Sequence, residues 1–385
     1  MRTVVVGCAL LAAGAVALAI GVVPPASALL LWQRVWPVLL FVAAITVVTE
    51  LAAAAGLFDA LAARAAVLGR GRAWLLWLLV VALAVLSTVF LSLDTTAVLL
   101  TPVVVLLARH ARLDPLPFAL TTVWLANTAS LLLPVSNLTN LLALRAMGMP
   151  HAVAFAALTW ASALACILVP VALIAFVCRR SLGAHYEPGP PEPAADRSLF
   201  VVAAIVVGAL LPALVSGLPV WIPAVAAAAI LAVAFALRRP QAVRFRLVPW
   251  PLLLLACGLF LVTDAAHALG LGQALAAVVG TGDAPLDLLR VSAAGALGAN
   301  LVDNLPAYLA LEPTAGSPLR LVALLIGVNA GALITPWASL ATLLWHQRLV
   351  ALGVGISWRR YMLLGAIAAP LTVVAGTAAL LLTAS

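Results

Sequence analysis

The sequence predicts an all-α polytopic membrane protein made of two inverted-topology repeats, each with a re-entrant helical hairpin and a broken transmembrane helix. Three observations predict it: apolar stretches of about 20 residues recur along the chain, the arginines mark which ends of those stretches share a side, and polar motifs appear twice in the same order.

The apolar stretches come first. Of 385 residues, 66% are hydrophobic and 8% charged, too few polar side chains to cover the core of a water-soluble fold. A run of about 20 apolar residues crosses a hydrocarbon core of roughly 30 Å as a helix, and such runs continue from Val4 to the C-terminus. Residues 4 to 23 resemble a signal peptide, with Arg2 ahead of the run and Ala26-Ser27-Ala28 as a cleavage-like site. The length of the run and the spans that follow favour a retained first span. All 20 basic residues are Arg, which reflects a GC-rich coding background more than a binding role. The net charge of +8 is the excess that cytoplasmic loops carry, and no basic and aromatic face is assembled for a nucleic acid. Cys8, Cys166, Cys178 and Cys257 lie far apart in apolar runs, so neither a disulfide framework nor a metal site is predicted, and no cofactor.

The arginines give the topology. Arg64, Arg70 and Arg72 precede residues 73 to 108, and Arg109, His110 and Arg112 follow them, so that segment enters and returns on the cytoplasmic side. Its middle, Ser92-Leu93-Asp94-Thr95-Thr96, is a polar break where a hairpin can turn. Arg179, Arg180 and Arg197 around the Pro-rich stretch 187 to 193, then Arg238, Arg239, Arg244 and Arg246, then His346 to Arg360, are further cytoplasmic segments. The N-terminus is then inside, with spans 4 to 23 and 37 to 57, the hairpin, a broken span 115 to 144, and spans 152 to 178, 199 to 216, 219 to 237 and 248 to 268. A second hairpin, 285 to 312, flanked by Asp283, Asp287 and Glu312 with Arg290 as an exception, enters from outside. A broken span 321 to 345 returns, and 361 to 383 leaves the C-terminus outside a cell (inner or plasma) membrane. Arg145 and Arg320 fall on the wrong side. The predicted units are residues 1–36 (first span and loop), 37–178 (first repeat), 179–247 (basic, Pro-rich cytoplasmic loop and linker spans) and 248–385 (second repeat).

The repeat is visible as matched motifs. Val48-Thr49-Glu50, Gly56-Leu57 and Ala60-Leu61 correspond to Val262-Thr263-Asp264, Gly270-Leu271 and Ala274-Leu275, a shift of 214 (264 less 50). Asp94 pairs with Asp303 at a shift of 209 (303 less 94). The segment Asn127 to Leu141 pairs with Asn329 to Leu343 at a shift of 202 (329 less 127). Because the hairpins enter from opposite sides, the halves are inverted, the arrangement that supplies outward-open and inward-open states from one fold.

Polar residues at membrane depth need an explanation, since a carboxylate there costs roughly 2.5 to 3.5 kcal/mol on insertion scales. Asp94 and Asp303, at the hairpin tips, are candidates to carry protons or to cap the half-helices beside them. Glu50 and Asp264 are further proton-coupling candidates, each near a span end where a structural role is the competing reading; His267 follows Asp264 by three residues and reads as structural. Asn127, Thr128, Ser136, Asn137 and Asn140 surround Pro134, and Asn329, Thr335, Ser339 and Thr342 surround Pro336; each Pro removes a helical hydrogen bond. Broken helices at that depth line cavities. With Thr95, Thr96, Asn300 and Asn304 from the hairpin tips, these residues form the predicted site. Its neutral donors and acceptors, with no Arg beside either break, suit a small polyhydroxyl solute or a partly dehydrated ion. Trp124, Trp337 and Trp345 read as packing or interfacial residues.

Asn127-Thr128-Ala129-Ser130, Val135-Ser136-Asn137-Leu138 and Asn140, with Ile334-Thr335-Pro336, Ser339-Leu340-Ala341-Thr342-Leu343-Leu344-Trp345 and Ile356-Ser357-Trp358, resemble the arsenical pump membrane protein family of the ion transporter superfamily. That superfamily also holds dicarboxylate and citrate carriers and sodium/proton antiporters. The resemblance runs from about residue 37 to the end. It implies two re-entrant hairpins, extrusion of arsenite or antimonite in exchange for protons and, in some members, an accessory cytoplasmic ATPase; a homodimer is a separate expectation about partners. Arsenite at neutral pH is mostly uncharged As(OH)3, which hydroxyls and amides can hold. Two places depart from the family's pattern: Leu93-Asp94-Thr95 stands where it has Asn-Asp-Gly, and Asn329 and Ala332 stand where it has Asp and Pro. A permease for another anion or a sodium/proton exchanger is the alternative. No HExxH, GxSxG or GxxxxGK[ST] occurs, so neither an enzyme nor a self-contained ATPase is predicted.

Overall fold

The computed structural model describes residues 2–187 and 196–383, so the Pro-rich stretch 187 to 193 lies, but for Glu187, outside the described residues. Among the described residues every regular element is helical, and the one β-type pairing is an isolated bridge between Arg72 and His185. The chain opens with α1 (Arg2–Ala19) and α2 (Pro25–Ala54). Pro25 takes a first-turn position, where a missing N–H has no helical partner to lose. From there α2 runs 30 residues through Pro37. The loop expected up to residue 36 is therefore helical from residue 25, because an internal Pro is tolerated where neighbouring helices compensate for one lost bond.

Next come α3 (Leu57–Leu68), α4 (Ala73–Phe90), α5 (Leu93–His110), α6 (Leu116–Thr128), α7 (Leu138–Ala146) and α8 (Ala152–Val177). Two linking helices follow, α9 (Arg197–Val215) and α10 (Trp221–Arg238). The second half holds α11 (Trp250–Ala268), α12 (Leu271–Val279), α13 (Pro285–Leu301), α14 (Asn304–Ala315), α15 (Pro318–Ala330), α16 (Leu340–Ala351) and α17 (Trp358–Leu380). Eight of these helices are long and apolar enough to cross a membrane, and the chain is a multi-pass membrane protein. Hairpins α4–α5 and α13–α14, and broken spans α6–α7 and α15–α16, recur in the same order. Gly56 at φ +84° starts α3 and Gly270 at φ +97° starts α12, so the matched glycines occupy the same left-handed turn, which a side chain would strain.

Polar contacts at the helix ends separate two rims. On one, Arg109 donates to the Leu352 and Gly353 carbonyls, Ser181 donates to Asp114 at 2.8 Å, and Arg72 bridges His185. On the other, Arg34 pairs with Glu312, Arg145 donates to the Arg34 carbonyl at 2.9 Å, and Ser317 donates to Asp283 at 2.7 Å. Spans α6–α7, α8 and α15–α16 run between these rims. Hairpin α4–α5 opens on the first rim and α13–α14 on the second, so the hairpins enter from opposite faces and the repeats are inverted. The two arginines that broke the charge pattern are held in place: Arg145 as above, and fully buried Arg320 by the Gly280 and Gly282 carbonyls.

A hydrophobic core lies against each hairpin. Trp77, Phe118, Trp124 and Trp345 sit in the core of the first, and Phe155, Phe260 and Tyr308 in that of the second. Trp345 reaches the Ala119 carbonyl at 2.9 Å, so its one polar atom is satisfied inside the core. On the outside, α1 packs on α11, where Gly7 and Gly258 bring the two backbones together, and α10 packs on α2.

Candidate functional site

Both hairpins turn on a residue in a backbone region that is almost exclusive to glycine: Ser92 at φ 141°, ψ 163° and Asp303 at φ 156°, ψ 159°. Holding a side chain there costs on the order of 1–3 kcal/mol, which surrounding structure must enforce. Each residue then caps the returning helix. Ser92 Oγ accepts from the Thr95 N–H at 3.3 Å, and Asp303 Oδ1 from the Leu305 N–H at 3.1 Å. The tips therefore align Asp303 with Ser92, at a shift of 211 (303 less 92), and not with Asp94. Matching carboxylate to carboxylate misplaced the register by two residues, because the turn is set by backbone geometry and Asp94 lies inside the first turn of α5.

The breaks also match. After α6 the chain passes through short turns at Ala129–Leu132 and Pro134–Ser136 before α7 starts on Asn137 at φ −153°, ψ 144°. The widened turn Ile326–Ala330 ends α15, and α16 starts on Ser339 at φ −150°, ψ 137°, at the 202-residue shift read from the sequence.

Four helix starts, those of α5, α7, α14 and α16, bound one cavity of about 440 Å³. Its polar wall is Thr46, Ser92, Asp94, Ser136, Asn137, Asp303, Asn304 and Ser339; Phe41 and Ile45 of α2, Val6 and Leu10 of α1, and Leu255 and Leu259 of α11 supply much of the apolar remainder. Helix N-termini present unpaired N–H groups and a partial positive charge, so the cavity is rich in donors although no Arg, Lys or His lines it. The Asp303 carboxyl also meets the Leu340 N–H of α16 and feels the charge of Asp94 across the cavity. Asp94 has no hydrogen-bond partner among the described residues.

Behind the polar wall an amide cluster joins the halves. Asn329 Oδ1 accepts from Asn137 Nδ2 at 2.9 Å and Thr139 Oγ1 at 3.0 Å, and Asn329 Nδ2 donates to Asn140 Oδ1 at 2.9 Å. Asn140 Nδ2 donates in turn to the Ser130 and Leu133 carbonyls at 2.6 and 3.1 Å, groups that the break frees.

Of the predicted residues, Asp94, Ser136, Asn137, Asp303, Asn304 and Ser339 line the cavity. Thr95 bonds back to Ser92 at 3.1 Å, and Thr96 is tied to Thr88 at 2.8 Å. Asn300 joins the second hairpin to the second break: its Oδ1 accepts from the Ile334 and Thr335 N–H groups at 3.1 and 3.0 Å, and its carbonyl accepts from the Thr335 hydroxyl at 2.8 Å. Thr342 stands beside the Tyr361 hydroxyl. Asn127 donates to the Val123 carbonyl at 3.0 Å; its Oδ1, Thr128 Oγ1 and Ser339 Oγ are buried without a protein partner among the described residues. Glu50 and Asp264 are not among the lining residues; Glu50 lies in the field of Arg348, and His267 meets the Leu309 carbonyl at 3.1 Å. Sequence reasoning missed Ser92 as a cap, Thr46, and Trp337 as cavity lining. A serine ending an apolar run and a threonine one turn before Glu50 were the available signals; only the fold puts Trp337 in the cavity, where its Nε1 donates to the Asn300 carbonyl at 2.9 Å.

Known proteins share these features. Residues 2–342 match the family described as Citrate transporter, CitMHS. The arsenical pump membrane protein of Escherichia coli (strain K12) is 28% identical over 375 residues, covering 91% of this chain and 87% of that protein. Its namesake from Yersinia enterocolitica is 29% identical over 378 residues, covering 92% and 88%. In structure the chain is similar to the Alcanivorax borkumensis YdaH transporter, whose crystal structure is described as revealing an unusual topology: the TM-score is 0.58 at 16% identity, over 98% of this chain and 96% of that one. That last likeness is one of fold. Together the inverted repeats, the cavity between their breaks and these relatives define a membrane transporter. The chain belongs to the citrate transporter family, and the resemblance to arsenical pump membrane proteins extends over most of its length.

Proposed function

We propose that this chain is a secondary active transporter that extrudes arsenite and antimonite in exchange for protons. The observation that carries this reading is the chemistry of the cavity: two carboxyl groups and four helix N-termini face one space, with neutral amides and hydroxyls and no basic side chain. Uncharged As(OH)3 offers three hydroxyls, each both donor and acceptor. Helix N–H groups suit its oxygens, while the Asp94 and Asp303 carboxylates accept its O–H groups. A proton arriving from outside competes with the solute O–H for the carboxylate and removes that charge-assisted hydrogen bond, which weakens binding, and deprotonation toward the cytoplasm resets the site. The similarity to arsenical pump membrane proteins supports the substrate.

A second reading, a permease for citrate or another anion, is favoured by the four convergent N-termini, since such ends attract negative charge. It requires protons or a bound cation to offset the two carboxylates. Uptake into inverted membrane vesicles separates the readings. Arsenite, antimonite, citrate and sodium are offered in turn, with and without a proton gradient. Metalloid accumulation that collapses with the gradient is expected, and none with an intact gradient overturns the proposal. Uptake that needs added ATP after the gradient is clamped would instead assign the work to an ATPase partner. The proposed orientation puts the Arg109 rim in the cytoplasm. In a cysteine-free background, Gly183→Cys should label only from inside and Thr281→Cys only from outside; the reverse pattern inverts the topology.

A further inference from the structure

The geometry points to a binding site for one anionic phospholipid in a groove of about 320 Å³ between α4 and the C-terminal end of α8, away from the central cavity. The groove is walled by Trp74, Trp77 and Leu78 of α4, by Ala175 of α8, and by Arg179 and Leu182 just beyond it. Its two ends differ in chemistry, as a phospholipid does.

The membrane-facing end is apolar and open. Phe176, beside the groove, is 67% exposed, and Trp74 and Leu78 are 44% and 41% exposed, on a surface that no other described element covers. An acyl chain fits such a wall, whereas a soluble solute gains nothing there. Trp77 is not free to serve a ligand, because its indole N–H donates to Thr121 at 2.8 Å. Trp74 makes no hydrogen bond within the described residues, so its indole N–H is available at the level where aromatic side chains meet headgroups.

The rim end is basic. Arg179 lines the groove with its guanidinium 5.2 Å from the Phe176 ring, and it makes no ion pair among the described residues. Arg180 is its neighbour, and the Arg72–His185 bridge brings Arg70 and Arg72 to the same edge. Two acids belong to this rim, exposed Glu187, two residues beyond His185, and Asp114, which accepts from Ser181 at 2.8 Å and from the Leu116 N–H at 3.0 Å. A phosphodiester therefore meets guanidinium groups at the mouth that form no ion pair among the described residues, with its acyl chain against Trp74 and Leu78. Basic pockets between membrane helices recognise anionic headgroups in this way. The occupant would bind α4, the first helix of a hairpin, to α8.

Native mass spectrometry of the full-length protein, released from nanodiscs of mixed phosphatidylglycerol and phosphatidylcholine, tests the site. One phosphatidylglycerol should persist on the wild type after other lipids dissociate. The Arg179→Gln/Arg180→Gln double variant should bind it about thirtyfold more weakly, while Arg290→Gln, on the opposite rim, should behave as wild type. Leu78→Trp, which fills the groove and keeps every charge, should also expel the lipid. Equal retention of the two lipids by the wild type, or unchanged phosphatidylglycerol binding in both groove variants, overturns the proposal. Competition by inorganic phosphate alone at equal concentration does so too, since it would make the groove a simple anion site.

Discussion

The two re-entrant hairpins occupy inverted, equivalent places, yet different chemistry holds them. In the first, hydroxyls do most of the work: Thr96 bonds Thr88 at 2.8 Å and Ser87 at 3.0 Å, and Thr101 bonds Thr122 at 2.8 Å. Its cap is the neutral Ser92, and its one carboxyl within the membrane, Asp94, faces the cavity without a hydrogen-bond partner among the described residues. In the second, the cap itself is a carboxyl, Asp303, placed between the starts of α14 and α16. Asn300 fastens that hairpin to the adjoining break, and Glu312, with Tyr308 at 3.1 Å, pairs with Arg34 at the rim. The difference separates two jobs that one Asp per hairpin had suggested were shared. Asp94 faces the cavity without such ties, whereas Asp303 links a hairpin tip to the start of a broken helix.

The largest expected effect follows from that division. Asp94→Asn and Asp303→Asn should each reduce gradient-driven uptake in inverted vesicles to background while insertion is retained. Asn keeps an oxygen for the cap at residue 303, so full activity in both variants would mean that the tips only cap. Asp303→Ala should add a loss of stability of about 1 kcal/mol, read by thermal unfolding in detergent, that Asp94→Ala lacks.

Glu312→Gln should come next. Breaking a buried ion pair typically costs 3–5 kcal/mol, and the side chain of Arg34 is about one-third exposed, so about 2 kcal/mol is expected. A loss no greater than that of a hydroxyl deletion in the first hairpin would erase the contrast between the two. Asn329→Leu leaves the side chains of Asn137 and Asn140 short of partners and should cost about 1–3 kcal/mol, sensed by both halves because the cluster joins them. Independent melting of the two halves, followed by site-specific cysteine reactivity, would reveal a failure of that junction. The smallest change is expected from Thr101→Val, about 0.6 kcal/mol, the average for an interhelical hydrogen bond in a membrane protein. An effect as large as that of Glu312→Gln would show that the hydroxyl ladder is the stronger fastening.

Much of this architecture was already legible in the chain. Membrane spans follow from apolar runs because bilayer thickness fixes their length, and opposite hairpin entry follows from where arginines cluster. The breaks at Pro134 and Pro336 were readable because Pro cannot donate a helical hydrogen bond, and the structure starts α7 and α16 at the 202-residue shift. Asp94, Asn137, Asp303 and Ser339 could be picked out as polar groups at a depth where polarity is costly. The sequence by itself thus determined which residues had to be shielded from lipid, and in what order. What shields them was decided only in three dimensions. Ser92, not Asp94, matches Asp303 because a backbone torsion sets the turn; Asn329 meets Asn137 and Asn140 because inverted halves interlock; and Glu50 lies toward Arg348, outside the cavity lining. Each depends on groups 189 or more residues apart in the chain, or on a torsion that residue type alone does not set, and no local pattern encodes either.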